Sequence, residues 1–128
     1  METLITKGIK ISVETEYQPH QSKAEKNHFI FAYNIHIENK STHTVQLLRR
    51  HWFIFDAIGQ RREVEGEGVI GEQPILKSGE THSYKSFCPL FSGVGKMHGT
   101  FTMIRLTDDV VFKVVVPEFK MMIPSKMN

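Results

Sequence analysis

The sequence predicts an all-β sandwich of about seven antiparallel strands, and three observations predict it. Apolar and polar residues alternate with period two over most of the chain. Turn-forming residues recur between the alternating segments, and no long window carries an apolar stripe at helical spacing. At 128 residues the chain is the size of one domain, large enough to fold without disulfides or a structural metal. One domain is expected over 1–128, with its core at about 4–122 and a frayed C-terminal tail.

In Gly8–Tyr17 the residues Ile9, Ile11, Val13, Thr15 and Tyr17 point one way. Lys10, Ser12, Glu14 and Glu16 point the other, which describes a strand with one buried and one wet face. Gln18–Asn27 is charged, contains Pro19 and reads as a loop. In His28–Glu38 one face carries Phe29, Phe31, Tyr33, Ile35 and Ile37, and the other still offers Ile30 and Ala32. Two partly apolar faces place that strand near a sheet centre. After a turn at Asn39–His43, Thr44–Ala57 is a long strand of mixed character, with Phe53 and Phe55 alternating against Trp52 and Ile54.

Seven of the nine glycines fall between Gly66 and Gly99, which marks that third of the chain as loop-rich. Within it Pro74–Leu76, Thr81–Cys88 and Met97–Leu106 remain strand-like, and Lys77–Glu80 and Thr107–Asp109 are turn signals. Val110–Val116 is the last clear strand, and Pro117 is expected to end it. Short strands at this spacing imply an immunoglobulin/fibronectin type III-like sandwich.

Composition narrows the function classes. Sixteen basic and 14 acidic residues leave a net charge of +2, too little to argue for nucleic acid or an anionic membrane. Met1–Lys7 has neither the basic nor the apolar region of a signal peptide, and no apolar run approaches bilayer length. Cys88 is the single cysteine, which excludes an intrachain disulfide and any CxxC site and fits a reducing compartment. The expected location is the cytoplasm.

The sharpest motif is Gly66-Glu67-Gly68-Val69-Ile70-Gly71, a literal GxGxxG. In dinucleotide folds such a motif opens a helix whose N-terminus takes the pyrophosphate. Here Glu72-Gln73-Pro74 follows, so no helix is expected, and Glu65, Glu67 and Glu72 repel a polyanion. The glycines read as turning residues between strands. Glu63, Glu65 and Glu67 would share one strand face, an oxygen-rich set that suits a hard cation. A hairpin with Ile58-Gly59 as its two-residue loop would instead pair Asp56 with Arg61, Phe53 with Val64 and Arg50 with Glu67. That register uses the acids in ion pairs, so no metal is expected.

None of the seven histidines stands at a ligand spacing, GxSxG is absent, and Ser92 has no visible base. A Cys/His site from His82, Cys88 and His98 is conceivable, but a small buried hydrophobe is the default for Cys88. Arg50 and Trp52 are better functional material, since both types are enriched at interface hot spots, although a sandwich strand more often buries its tryptophan.

Several stretches carry a family resemblance: Phe31-Ala32-Tyr33, Val45–Leu48 into Arg50-His51-Trp52, Val64–Pro74, Leu76–Glu80, Tyr84–Leu90 and Met97–Met103. With them the chain resembles the bacterial ApaG family over about residues 4–122. Two positions depart from the family pattern, Ile58 in the turn after Asp56 and Phe87 before Cys88. The resemblance implies a fibronectin type III-like fold, a genetic association with cobalt and magnesium resistance, and a protein-binding role. It supplies no catalytic residues, and its glycine motif has been suggested as a pyrophosphate-binding loop. The expectation is therefore a cytoplasmic, non-catalytic module for an unidentified protein partner, with no cofactor. Its candidate contact residues are Arg50, Trp52, Gly66, Glu67, Gly68 and Gly71. The alternative is a binder of a divalent cation or a pyrophosphate compound at the glycine-rich loop.

Overall fold

The computed structural model describes residues 1–126. The strands are β1 (Glu2–Thr6), β2 (Ile9–Tyr17), β3 (Phe29–Asn39), β4 (Val45–Asp56), β5 (Arg61–Glu67), β6 (Ile75–Leu76), β7 (Thr81–Leu90), β8 (Val94–Arg105) and β9 (Val110–Met122). They form two antiparallel sheets, β1-β2-β3-β7 and β5-β4-β8-β9, with β6 beside β4. β3 lies inside its sheet, as its two partly apolar faces require. Both sheets turn alternate apolar residues inward, and the β-sandwich class read from alternation holds. Trp52 sits near the centre of the core, meeting Tyr33, Phe101 and Phe119 edge-on at 5.8, 5.8 and 6.0 Å.

Two irregularities explain where alternation misleads. Register on β8 shifts between Leu47 and Arg49, so Leu48 is an extra residue in β4. Val45 and Leu47 are buried before it and Trp52, Ile54 and Asp56 after it, which gives the strand its mixed character. In β9, Val116 faces Gly99 while Phe119 faces Met97. The residues between them, Pro117 and Glu118, bulge out of the ladder, and there a proline loses no hydrogen bond. Pro117 therefore does not end the strand. β9 runs on to Met122, Met121 is buried, and Ile123 packs against the core. Met127 and Asn128, within the tail expected to fray, lie outside the described residues. β1 was not legible at all, because its residues are exposed almost throughout.

The β4–β5 hairpin corrects the expected register. Gly59 N–H donates to the Asp56 carbonyl and Asp56 N–H to the Gln60 carbonyl, each at 2.9 Å. Gly59 has φ +94°. The loop is thus three residues, Ala57-Ile58-Gly59, with glycine in the bulge position. One extra loop residue moves every pairing. Phe55 faces Arg61, Trp52 faces Val64, Arg50 faces Gly66 and Arg49 faces Glu67. Asp56 meets no arginine. It is 5% exposed and accepts from Phe91 N–H and Ser92 Oγ–H, both at 2.6 Å.

The sandwich has two long sides. On one, β9 lies against β1 and β2, with Val115 N–H donating to Thr6 Oγ1 and Thr15 Oγ1–H to the Lys120 carbonyl, each at 3.3 Å. On the other, β5 and β7 are the edge strands, and the Arg62 guanidinium crosses to the Pro89 carbonyl.

Candidate functional site

The glycine-rich loop closes the β5–β7 side, and hydrogen bonds hold it at both ends. The bulge at Leu48 frees a carbonyl, which accepts from Gly68 N–H at 2.8 Å and from Gln73 Nε2 at 3.0 Å. Leu47 N–H donates to the Pro74 carbonyl at 3.0 Å. Arg50 points inward beneath the loop, and its Nη1 donates to the Glu67 and Gly68 carbonyls at 2.9 and 3.0 Å. At its tip, Val69 and Glu72 exchange N–H···O bonds of 2.8 and 3.0 Å across Ile70-Gly71. Ile70 and Gly71 have φ +49° and +72°, the backbone of a two-residue type I′ turn.

No helix follows the motif; Glu72 closes the turn and β6 comes next. Gly68, at φ +63°, is fixed by close approach as well, since a Cβ there would stand 2.2 Å from the Glu72 carbonyl oxygen. Gly66 is not a turning residue. It belongs to β5, and the Arg50 guanidinium lies flush against it, 2.9 Å from where a Cβ would be. The amides of Gly68, Val69 and Glu72 are committed within the protein, so the loop lacks the row of free N–H groups that a pyrophosphate cradle needs.

The candidate residues separate into two roles. Arg50, Gly66, Gly68 and Gly71 build the loop, and Glu67 contributes its carbonyl to Arg50. Trp52, only 3% exposed, is core and presents no contact surface. The residues that sequence reasoning missed stand beside them. Ile70 is 60% exposed at the tip, and Val69 turns inward and is buried. Behind the loop a cavity of about 160 Å³ is lined by Tyr33, Arg50, Trp52, Tyr84 and Ser86 with Val69–Gly71. Tyr84 Oη is buried without a hydrogen-bond partner among the described residues. Burial pushes the Tyr84 phenol far above its ordinary value, with Tyr33 adding to the shift, so this hydroxyl is a neutral donor. Period-two alternation along Tyr84-Lys85-Ser86 is the one signal that could have put Tyr84 and Ser86 on a shared face.

At Glu63 and Glu65 the acidic run meets a histidine, and only Glu67 faces an arginine, Arg49. In the observed register His51 faces Glu65. Its Nε2 lies 2.8 Å from Glu63 and its Nδ1 3.4 Å from Glu65. Two carboxylates on opposite ring nitrogens make an ion-paired clamp when the imidazole is protonated. The three ligand-capable groups also lie within 4.8 Å of one another. Glu67 is not among them. His82, Cys88 and His98 do not form a site: His82 lies 3.7 Å from Glu72, while His98 stacks between Phe53 and Phe55 at 5.1 and 5.6 Å. Cys88 lies beside Arg62, and burial pushes its thiol up, which keeps it a thiol rather than a nucleophilic thiolate. Ser92 Oγ–H donates to the Asp56 carboxylate and lies against the Val94 carbonyl, tying the turn before β8 to the end of β4.

Comparison with known proteins gives one consistent result. The family described as ApaG domain matches residues 19–105. A protein named ApaG from Beijerinckia indica is 46% identical over 121 residues, covering 94% of this chain and 92% of its own length. Its counterpart in Acidithiobacillus ferrooxidans is 49% identical over 113 residues, covering 88% of each. The crystal structure described as an ApaA protein from Bordetella pertussis superposes with a TM-score of 0.88 at 38% identity, covering 91% of this chain and 94% of that one.

Proposed function

The chain belongs to the ApaG family, and from that premise we propose that it is a non-catalytic module that binds a protein partner along the β5–β7 side, with the tip of the glycine-rich loop as a contact. One observation carries the reading. Ile70 is a β-branched residue held at φ +49° and largely exposed. That backbone is a genuine outlier for such a side chain and costs about 1–3 kcal/mol. Asn-Gly would form the same turn without strain, so the fold itself does not ask for isoleucine there. An apolar side chain kept in a strained, braced position on the surface suits contact with another protein. The near-neutral charge favours a protein over nucleic acid or a membrane. No described helix is long and apolar enough to cross a membrane. We place the module in the cytoplasm, where a lone thiol such as Cys88 stays reduced. Its link to cobalt and magnesium resistance is indirect, exerted through the partner.

Ile70→Asn is the test. Capture from the native cytoplasm should fail with the variant and succeed with the parent, while the variant's melting temperature stays level or rises. Undiminished capture by Ile70→Asn contradicts the role given to the tip. Gly68→Ala is uninformative, since the Glu72 carbonyl leaves no room for it.

A second reading, a binder of a small phosphate compound or cation, draws on the cavity and the free Tyr84 hydroxyl. Thermal unfolding with magnesium, cobalt, ATP or diadenosine tetraphosphate separates the two. A ligand at 100 times its Kd adds about 2.7 kcal/mol, and no shift with any of them removes this reading.

A further inference from the structure

The β3–β7 ladder has a phase that decides which main-chain groups of β7 are free. Asn39 N–H donates to the Glu80 carbonyl at 2.9 Å. In steps of two, the hydrogen-bonded pairs are then Ile37 with His82, Ile35 with Tyr84, and Tyr33 with Ser86. The N–H and C=O groups of Thr81, Ser83, Lys85 and Phe87 therefore point away from β3, toward the open side. Pro89 is in the same phase, and its carbonyl accepts from Arg62 across that side, as the phase requires.

β7 is an unusual edge. Its register on β3 runs from Phe29–Leu90 to Glu38–Thr81 without a shift, whereas the β9 edge carries an irregularity and the other two regular edges, β1 and β5, are shorter, at 5 and 7 residues against 10. A long, regular, unpaired edge is a template for another strand. The side chains of Tyr84 and Ser86 alternate with the outward groups and line the cavity behind the loop. A strand added to β7 would set its residue opposite Tyr84 or Ser86 on that same inner face.

The cavity's chemistry selects that residue. Tyr84 Oη–H has no acceptor among the described residues. The Ser86 hydroxyl stands beside it in the lining, and both described hydrogen bonds of Arg50 leave from Nη1, so Nη2 is available. The Tyr84 and Ser86 hydroxyls and the Arg50 guanidinium share one lining with the Tyr33 phenol, which Ser86 hydrogen-bonds, and no acidic side chain lines the wall, an arrangement that suits a carboxylate.

We propose that the free edge of β7 is a β-augmentation site: an extended segment of the partner protein pairs with Ser83, Lys85 and Phe87 and places an Asp or Glu side chain in the cavity against Arg50, Tyr84 and Ser86. Main-chain pairing supplies affinity and the cavity supplies selectivity. The proposal rests on the protein-binding reading above and gives that partner a chemistry.

The test uses the full chain, labelled with ¹⁵N, and two short capped peptides of alternating Thr and Val that differ only in a central Glu or Gln. The Glu peptide should shift the amides of Ser83, Lys85 and Phe87 and bind about tenfold more tightly than the Gln peptide. Tyr84→Phe should reduce that preference. Lys85→Pro, tolerated at an edge position whose N–H faces out, should abolish binding of both peptides. Equal binding of the two peptides, shifts confined to other strands, or no shift at millimolar peptide overturns the proposal. Partner capture that depends on Ile70 but survives Lys85→Pro would sink the edge alone and leave the protein-binding reading standing. If the parent chain captures nothing, it is that reading which fails.

Discussion

Along one side of the sandwich β1 and β2 lie against β9, with side-chain hydroxyls hydrogen-bonded to main-chain groups across the gap. Along the other, β5 and β7 keep free edges, and the gap holds the Arg62 side chain, the buried Val69 and a cavity with an unanswered hydroxyl. Both sides belong to the same two sheets, so the difference does not come from the strands' own propensities. It comes from what fills the gap. Strand-to-strand contact completes the first side from within the fold, whereas the second is finished by a loop and retains hydrogen-bonding capacity for another molecule.

The largest effect expected from this contrast is on the closed side. Phe119 is buried and packs on Tyr33 and Trp52, so Phe119→Ala should cost about 3–5 kcal/mol in denaturant unfolding. Its counterpart on the open side is Val69, which is equally buried but comes from a loop. Val69→Ala removes two methylene equivalents and should cost about 1.6 kcal/mol, with the rest of the fold intact. If Val69→Ala proved as damaging as Phe119→Ala, the loop would belong to the folding core and the two sides would not differ as described. The smallest effect is the sharpest. Removing a buried hydroxyl that donates to nothing forfeits no hydrogen bond, so Tyr84→Phe should leave stability level or raise it by up to about 1 kcal/mol. A loss of that size would mean the hydroxyl is already satisfied.

The closed side was the more legible in the sequence. Val114 and Val116 alternate inward as period two requires, and only the proline bulge hid the remainder of β9. On the open side a single loop residue decided the outcome. Reading Ile58-Gly59 as the whole turn put Arg50 against Glu67, but the third residue, Ala57, moved the pairing by one and set His51 among the acids. A change of one residue is invisible to alternation, since both registers keep every strand's own pattern intact. The glycine motif was read correctly as a turn at Gly68 and Gly71 but not at Gly66, which is a strand residue. The residue on which the proposed contact rests, Ile70, is one that the motif leaves unspecified, and only coordinates reveal its conformation. Tyr84 and Ser86 were legible as face-mates but not as a cavity wall, because the cavity joins two sheets and a loop distant in sequence.

Native-state amide hydrogen exchange along β7 tests the central contrast most directly. His82, Tyr84 and Ser86, bonded to β3, should exchange slowly, while Ser83, Lys85 and Phe87 exchange near the rate of open chain, a strict alternation over six residues. Uniform protection from His82 to Phe87 would mean that this edge is already paired or covered, and the open side of the sandwich would be closed after all.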